Sequence, residues 1–187
     1  MFVETGLTIV VAYLIGSVPL SYLLGKWAKG IDLRQYGSGS LGVSNAGVHV
    51  GKWAIFCGRS FDFVVKGVGV IVLARWLDIG LLGQGIAGLT AIIGHNWSLY
   101  VGVSGGRGII PALGVLAALT LSQLTILVTI GLLGWLISRN AALWALIGIS
   151  LLPLTSLLLG EPGGVLVFVT GFLFVTIIKR LTANTEK

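Results

Sequence analysis

The sequence predicts an all-α fold: a polytopic membrane bundle of about seven transmembrane helices that forms one integral-membrane domain, residues 1–187. Hydrophobic residues make up 56% of the chain and charged residues only 10%, and the mean hydropathy is +1.02. This composition leaves too little polar surface for a protein dissolved in water. Several apolar runs approach the roughly 20 helical residues that cross a bilayer. The 29 glycines let helices pack closely in lipid, where no hydrophobic force drives them together.

Seven apolar runs define the predicted helices. They are residues 3–24, 54–77, 79–94, 109–121, 123–138, 141–159 and 164–178. The third, fourth and seventh runs are short for a span, so the number of spans is predicted to be five to seven. The first run follows no positive residue and precedes no obvious small-residue cleavage site. We therefore expect it to remain as a helix and not to be removed as a signal peptide.

Positive residues predict the orientation of the bundle, because loops rich in Lys and Arg stay in the cytoplasm. The loop at residues 25–53 contains Lys26, Lys29, Arg34 and Lys52, so we place it inside and the N-terminus outside. Counting the crossings puts the C-terminus inside. The same count places these cations in the cytoplasm: Arg107, Arg139, Lys179, Arg180 and Lys187. The same count leaves four charged residues outside: Glu4, Arg75, Asp78 and Glu161. A bundle of five spans would place the polar loops on the same sides of the membrane.

Composition also limits the partners and cofactors. Cys57 is the only cysteine, which excludes an intramolecular disulfide and a cysteine metal cluster, and the sequence predicts no metal site. The net charge of +6 is explained by attraction to anionic lipid, so we expect the bilayer and no nucleic acid as a partner. The tripeptide Gly-Lys-Trp occurs at 25–27 and at 51–53, and it is typical of anchors in the headgroup layer.

The first polar segment, residues 36–53, reads YGSGSLGVSNAGVHVGKW. Closely spaced glycines let successive backbone N–H groups point at one anion, and Ser and Asn add donors. The letters GSGSLG also match the GxGxxG turn that binds dinucleotides. That turn requires a buried strand before it, whereas the residues that precede it here, GIDLRQ, are polar. The segment therefore predicts a phosphate-binding loop in the cytoplasm.

The second segment places ionisable residues near the start of the second helix. Asp62 and Lys66 are four residues apart, so they lie on one helix face and can pair. Ionisable side chains in a membrane segment are costly and usually face the bundle interior or a polar cavity. Two interpretations stay open: a structural ion pair near the interface, or a pair that lines the substrate site.

The third segment, residues 94–114, contains another glycine-rich turn. Gly105, Gly106 and Gly108 surround Arg107 just before a helix whose N-terminus favours negative charge, which predicts a second anion site. His95 lies at the mouth of the third helix on the same side of the membrane. A lone histidine there is more often a hydrogen-bonded structural residue than a catalyst. The two glycine-rich loops on this side favour a functional role.

These segments, in this order and at this spacing, resemble the acyl-phosphate-dependent glycerol-3-phosphate acyltransferases of bacterial inner membranes. That family has a loop GSGNxGATNxxR followed by GK, a helix with an acidic residue and KG, then GHxxPxF leading to GGKG and an ALG-type helix. The matching stretches here are Gly37 to Asn45, Gly51-Lys52, Asp62 with Lys66-Gly67, Gly94-His95, Gly105 to Gly108, and Ala112 to Gly114. A set of motifs is far more specific than any one of them.

The resemblance implies that an acyl group passes from acyl phosphate to the 1-hydroxyl of glycerol 3-phosphate, giving lysophosphatidic acid and phosphate for phospholipid synthesis without a cofactor. It implies a multi-pass protein of the bacterial inner membrane. It makes Ser38, His95 and Arg107 candidate catalytic residues. Candidate residues for binding substrate or phosphate are Gly37, Gly39, Ser40, Gly42, Ser44, Asn45, Lys66, Gly105, Gly106 and Gly108. Arg107 replaces a family Lys and exchanges a compact ammonium for a planar fork.

The chain departs from the family pattern in several places. Ser40 replaces Asn, Ser44 replaces Thr, Val48 replaces Arg, Ser98 replaces Pro, and the C-terminal RHRxNIxRL retains only its end, at Lys179-Arg180-Leu181. Loss of the Arg removes a phosphate contact, for which His49 is a weak substitute. The alternative hypothesis is therefore an inactive or re-purposed homologue that binds lipid or phosphate. A small transporter is less favoured, because the ionisable residues gather at one face of the membrane.

Overall fold

The computed structural model describes residues 2–185, which form helices and loops with a single isolated bridge between Ser98 and Ser104. The predicted all-helical architecture is confirmed. The helices are α1 (Phe2–Ser17), α2 (Leu20–Lys29), α3 (Val43–His49), α4 (Lys52–Phe61), α5 (Val70–Trp76), α6 (Leu81–Asn96), α7 (Ile109–Leu119), α8 (Leu121–Ser138), α9 (Ala141–Leu158) and α10 (Gly163–Thr185). A π-helical segment, Asp62–Gly69, joins α4 to α5, so residues 52–76 form one unbroken helix. Short 3₁₀ turns lie at Leu33–Gln35 and Leu99–Val101.

Three helices within the described residues are long and apolar enough to cross a membrane: α8, α9 and the part of α10 at Gly163–Thr182. The pair α1 and α2 makes a fourth if it is counted as one bent span. The run predicted as one helix at 3–24 forms two helices, because the chain bends by 40° between Ser17 and Leu20. Pro19 at this break lacks an amide hydrogen and disfavours a helical conformation at the residue before it.

Glycines set the distance between neighbouring helices at two contacts. A side chain at Gly67 in the π-helical segment would place its Cβ 2.6 Å from the Cα of Gly114 and 2.6 Å from the carbonyl oxygen of Pro111, both in α7. A side chain at Gly85 of α6 would collide with the backbone of Gly164 in α10. Small residues allow such close approach of backbones in a membrane. The first contact holds the start of α7 beside the π-helical segment.

The main hydrophobic core lies among α5 to α10 and includes the stacked rings of Phe168 and Phe172, whose centroids are 6.0 Å apart. A second, smaller cluster joins Leu33 and Leu41 in the loop after α2 to Val101 in the loop after α6. Because they share this cluster, the two polar loops lie at the same end of the bundle. We call this end, formed by residues 30–51 and 97–108, the loop end.

The opposite end of the bundle is held by polar contacts between helix termini. Arg75 donates to the side chain of Gln84 at 3.3 Å and to the carbonyl oxygen of Ala118 at 2.5 Å. Glu161 accepts hydrogen bonds from Thr120, at 2.8 Å, and from Ser122. These contacts join α5, α6, α7 and α8 to the loop before α10. They explain Arg75 and Glu161 as structural residues, away from the loop end.

Candidate functional site

Asn45 organises the first glycine loop. Its Nδ2 donates to the carbonyl oxygens of Leu33, Tyr36 and Ser40 at 3.1, 3.0 and 2.9 Å, and the side chain is buried. The loop folds around this amide, and the carbonyls of Leu33 and Tyr36 also accept from the backbone amides of Tyr36 and Gly39, at 3.4 and 3.0 Å. The hydrogens of Asn45 thus point at the protein backbone. Its expected role in binding phosphate stays a prediction.

Gly37 and Gly39 form the tight part of this loop, with φ of +58° and +67°, a region that favours glycine. A Cβ on Gly37 would stand 2.6 Å from Asn45 Oδ1 and would also collide with the ring of His49. His49 in turn lies against Tyr36, with ring centroids 5.7 Å apart. The chain at Gly37 therefore fits between two side chains of α3, and only glycine fits there.

The predicted serines of the loop remain open to solvent. Ser38, Ser40 and Ser44 are all exposed. The Oγ of Ser38 accepts a hydrogen bond from the Ser40 amide at 3.4 Å, and the Oγ of Ser40 accepts one from the Gly42 amide at 3.1 Å. Each hydroxyl uses its oxygen as an acceptor in these contacts, so its hydrogen is left for an acceptor outside the loop. This arrangement suits an oxyanion.

Arg34, at the start of the loop, is paired within the protein. Its guanidinium donates to both carboxylate oxygens of Asp32, with distances of 3.0 Å from Nε and 2.7 Å from Nη2. These hydrogen bonds hold the pKa of Asp32 well below its usual value and raise that of Arg34. A bidentate pair of this kind leaves little of the Arg34 charge for a ligand.

Asp62, Lys66 and His95 form a buried cluster that joins the π-helical segment to the end of α6. Lys66 Nζ lies 2.9 Å from Asp62 Oδ1 and 3.2 Å from His95 Nδ1, and the last two atoms are 3.5 Å apart. The side chains of Asp62, Lys66 and His95 are 10%, 3% and 13% exposed. The predicted pairing of Asp62 with Lys66 is confirmed. The contact of this pair with His95, which lies 29 residues after Lys66, was not predicted. Periodicity within one helix does not show which other helix packs against it.

The second glycine loop folds directly over His95. The Gly106 amide donates to the carbonyl oxygen of His95 at 3.1 Å. A side chain on Gly105 would collide with that carbonyl, and one on Gly106 would collide with the imidazole at Nε2. Gly108, with φ of +73°, makes the turn into α7. The predicted grouping of His95 with Gly105, Gly106 and Gly108 is therefore present in the structure, and the Nε2 edge of the ring faces this loop.

Two cations lie beside the second loop. Arg107 is exposed and makes no hydrogen bond or ion pair with the rest of the described chain, so its guanidinium is available to a ligand. Lys179 of α10 places its Nζ 5.2 Å from the ring centroid of Trp97, two residues after His95. From the sequence, Lys179 was predicted as a cytoplasmic cation and as the remainder of a C-terminal motif, without a place beside His95. Its position became visible only from the way α10 runs beside α6. The predicted cation Lys187 lies outside the described residues.

The second loop is held against α1 by two hydrogen bonds. Tyr13 donates to the carbonyl oxygen of Trp97 at 2.8 Å, and Ser98 donates to that of Ser17 at 2.5 Å. Next to these contacts, an apolar cavity of about 300 Å³ opens at the bend between α1 and α2. Its walls are Val18, Pro19, Tyr22, Leu23, Tyr100 and Val101. The loop end thus combines exposed hydroxyls, one open cation and an apolar cavity.

The described residues contain no group of three or more His, Cys, Asp and Glu side chains that could hold a metal ion. Cys57 is a free thiol. The expectation that the protein needs no cofactor stays a prediction.

Fold and site together define a class: an all-helical integral membrane protein with two glycine-rich polar loops at one end of an apolar bundle. The sequence profile of a family described as glycerol-3-phosphate acyltransferase matches residues 6–187. The chain belongs to this family. The resemblance predicted from the motifs is confirmed.

Individual relatives agree with this assignment. The chain is 36% identical over 195 residues to a glycerol-3-phosphate acyltransferase of Synechococcus sp. (strain CC9902), with 100% of this chain and 96% of the relative covered. It is 47% identical over 103 residues to glycerol-3-phosphate acyltransferase 4 of Dehalococcoides mccartyi (strain CBDB1), with 55% of this chain and 44% of the relative covered. Glycerol-3-phosphate acyltransferase 5 of another Dehalococcoides mccartyi strain is 37% identical, with 62% of its length covered. The chain therefore spans less than two thirds of both Dehalococcoides relatives.

Two solved structures share the fold. The crystal structure of PlsY (YgiH), an integral membrane glycerol 3-phosphate acyltransferase, in its glycerol 3-phosphate form has a TM-score of 0.83 and 27% identity, and the match covers 96% of this chain and 90% of that one. The lysophosphatidic acid form has a TM-score of 0.82 and 26% identity. The bundle described above is thus the integral membrane fold of PlsY.

Proposed function

We propose that this protein transfers a fatty acyl group from acyl phosphate to the 1-hydroxyl of glycerol 3-phosphate, giving lysophosphatidic acid and inorganic phosphate. The observation that carries the proposal is the common location of the motif segments: Ser38 and Arg107 lie at the loop end, and His95 packs directly against the second glycine loop. A reaction between an acyl donor with a long tail and a polar phosphate ester needs such a boundary between lipid and water. The names of the matched relatives agree with it.

The reaction balances without a cofactor. The substrate hydroxyl oxygen forms a bond to the acyl carbon, the bond from that carbon to the phosphate oxygen breaks, and the hydroxyl proton leaves with inorganic phosphate. The protein mainly positions the reactants and stabilises charge. In our proposal Arg107 and the serines Ser38 and Ser40 bind phosphate oxygens, and His95 binds or orients a substrate at the second loop. The apolar cavity at the bend between α1 and α2 receives part of the acyl chain, since its lining is apolar and includes Tyr100 and Val101 of the second loop.

The glycine positions serve the same proposal. The backbone at Gly37, Gly39 and Gly42 lets the first loop approach an oxyanion closely, and Gly105 and Gly106 do so in the second loop. In our proposal Asn45 acts through the first loop, because its amide donates to three carbonyls of that loop or its flanks. Lys66 is nearly buried and contacts His95, so it acts through that ring. Ser44 is exposed on the first turn of α3 and adds a further hydroxyl.

We further propose that residues 1–187 form one domain that crosses the bacterial inner membrane seven times, with the N-terminus outside. Charge supports this orientation, since most cations of the described chain belong to the loop end or to helix ends beside it. Cysteine labelling tests it in a Cys57→Ala background. A membrane-impermeant maleimide added to intact cells should label Asp78→Cys and should label Thr182→Cys only after the membrane is opened. Labelling with the opposite pattern would contradict the orientation.

The activity is tested with purified protein in lipid nanodiscs, given palmitoyl phosphate and glycerol 3-phosphate. We expect lysophosphatidic acid and phosphate to form in equal amounts, and we expect palmitoyl-CoA to replace palmitoyl phosphate poorly. Arg107→Ala should lower the rate, whereas Arg59→Ala, which removes an exposed cation on α4, should not. Folded protein that forms no product would refute the proposal. Activity only with palmitoyl-CoA would refute the proposed donor.

A further inference from the structure

The contacts around His95 determine which of its ring nitrogens bears the hydrogen. Lys66 Nζ lies 3.2 Å from Nδ1, and an ammonium group can only donate. The other neighbour of Nδ1 is Asp62 Oδ1, which can only accept but lies further away, at 3.5 Å. The shorter contact favours Nδ1 as an acceptor. In the neutral ring the hydrogen must then be on Nε2.

Asp62 fixes the position of this donor. Its Oδ1 lies 2.9 Å from Lys66 Nζ, four residues along the same helix. A buried ammonium is stable only if it is paired and hydrogen-bonded. Asp62 provides the opposite charge and holds Nζ beside His95. Gly67, the next residue, packs closely against the backbone of α7, which places the segment that bears Lys66 beside the ring.

The opposite edge of the imidazole faces the second glycine loop. A Cβ on Gly106 would collide with Nε2, so a hydrogen on Nε2 points toward the second glycine loop. A hydrogen-bond donor at that point would contact a substrate oxygen. A bare Nε2 lone pair would instead accept a proton. The choice of tautomer thus decides what His95 does.

We propose that Asp62 and Lys66 are positioning residues that hold His95 as the neutral tautomer with hydrogen on Nε2, so that His95 donates a hydrogen bond to a substrate oxygen at the second glycine loop. This inference rests on the proposed function for the identity of the substrate. The tautomer itself does not depend on it. Under this proposal His95 binds and polarises substrate and does not act as a general base in its resting state.

Nuclear magnetic resonance of protein labelled with ¹⁵N-histidine tests the tautomer directly. The chain has two histidines, and His49→Gln identifies the signals of the other one. At a pH where the ring is neutral, we expect Nδ1 of His95 without hydrogen and Nε2 with hydrogen. Lys66→Met removes the ammonium, so Nδ1 should gain a hydrogen and donate it to Asp62. A wild-type spectrum with hydrogen on Nδ1 would overturn the proposal, as would an unchanged spectrum in Lys66→Met.

Matched variants separate positioning from a general loss of structure. Lys66→Arg keeps donors in the cluster and should retain the wild-type tautomer. Arg59→Met removes a cation from the same helix outside the cluster and should leave both the spectrum and kcat unchanged. Lys66→Met should lower kcat by about 100-fold, the usual effect of losing one oriented donor, with a smaller change in KM. A change in KM alone would overturn the assigned role.

The spectrum and the activity can fail separately. Wild-type protein that has hydrogen on Nε2 but forms no lysophosphatidic acid would refute the proposed function, while the tautomer set by Lys66 would stand. Active protein with hydrogen on Nδ1 would refute the positioning role and leave the function intact. The wild-type spectrum alone shows which nitrogen of His95 bears the hydrogen. The proposal is therefore testable even if Lys66→Met fails to fold.

Discussion

Replacement of Asn45 should open the first glycine loop. The Asn45 amide donates to three carbonyl oxygens through two hydrogens, so one hydrogen is shared. The carbonyls of Leu33 and Tyr36 keep backbone partners in the variant, the amides of Tyr36 and Gly39, so each lost hydrogen bond counts at about 1 kcal/mol net. The contact with Leu33 is buried and those with Tyr36 and Ser40 are partly buried. Loss of the three contacts in Asn45→Ala should lower the free energy of local unfolding of the loop by about 2–3 kcal/mol.

Hydrogen exchange measures this loss where it occurs. At 1.4 kcal/mol for each factor of ten, the amides of residues 33–42 should exchange about 30- to 140-fold faster in Asn45→Ala. Asn45→Asp should exchange faster still, because a carboxylate has the same shape but no hydrogens to donate, and it would face three carbonyl oxygens. Activity should fall in both variants, since Ser38 and Ser40 lose their fixed positions.

Asn140→Asp is the matched control for this experiment. Asn140 is exposed and caps α9 by accepting a hydrogen bond from the Leu143 amide at 3.1 Å. A carboxylate accepts equally well at that position, so exchange and activity should stay at wild-type values. Equal effects of the two Asn-to-Asp changes would refute the argument. So would an Asn45→Asp protein whose loop exchanges no faster than wild type.

Three further predictions concern other residues. Arg107→Ala should lower kcat/KM by about 10- to 150-fold, the effect of losing a hydrogen bond from a charged group, without a change in thermal unfolding, because the side chain has no partner in the described chain. Unchanged kinetics would contradict its assignment. Gly106→Ala should displace the His95 ring and abolish most activity in the lysophosphatidic acid assay, and full activity would contradict the packing seen here. Gly67→Ala should cost about 1–3 kcal/mol through overpacking against α7, measured as a lower midpoint of detergent unfolding. Gly131→Ala, where nothing lies within 4 Å, is its control, and equal shifts would refute the reasoning.

Much of the fold could be predicted from the sequence, because it depends on properties of contiguous residues. Apolar runs and few charges predict membrane helices, and α8, α9 and α10 lie within a few residues of the predicted runs except at the C-terminal end of α10, which extends to Thr185. The break at Pro19 was missed because the flanking residues are apolar on both sides and the run looked continuous. The π-helical segment at Asp62–Gly69 was missed as well. Its letters show an ordinary apolar helix with one pair of charges.

The cluster around His95 could be predicted only in parts. The spacing of Asp62 and Lys66 places them on one helix face, and this pairing is confirmed. That His95 completes the cluster depends on how α6 packs beside the π-helical segment, which is a property of the folded bundle. The position of Lys179 near Trp97 follows in the same way from the packing of α10 along α6. Neither contact has a signal within any single stretch of sequence.

The motif residues divide into two groups that a sequence pattern cannot separate. Asn45 and Lys66 are buried and donate to other parts of the protein, whereas Ser38 and Arg107 are exposed at the loop end. Both groups match the same family motifs, because a motif preserves residue type and does not record the direction of a side chain. Changes at exposed residues should therefore alter kinetics without altering stability, and changes at buried residues should alter both. This difference distinguishes the residues that contact substrate from those that hold them in place.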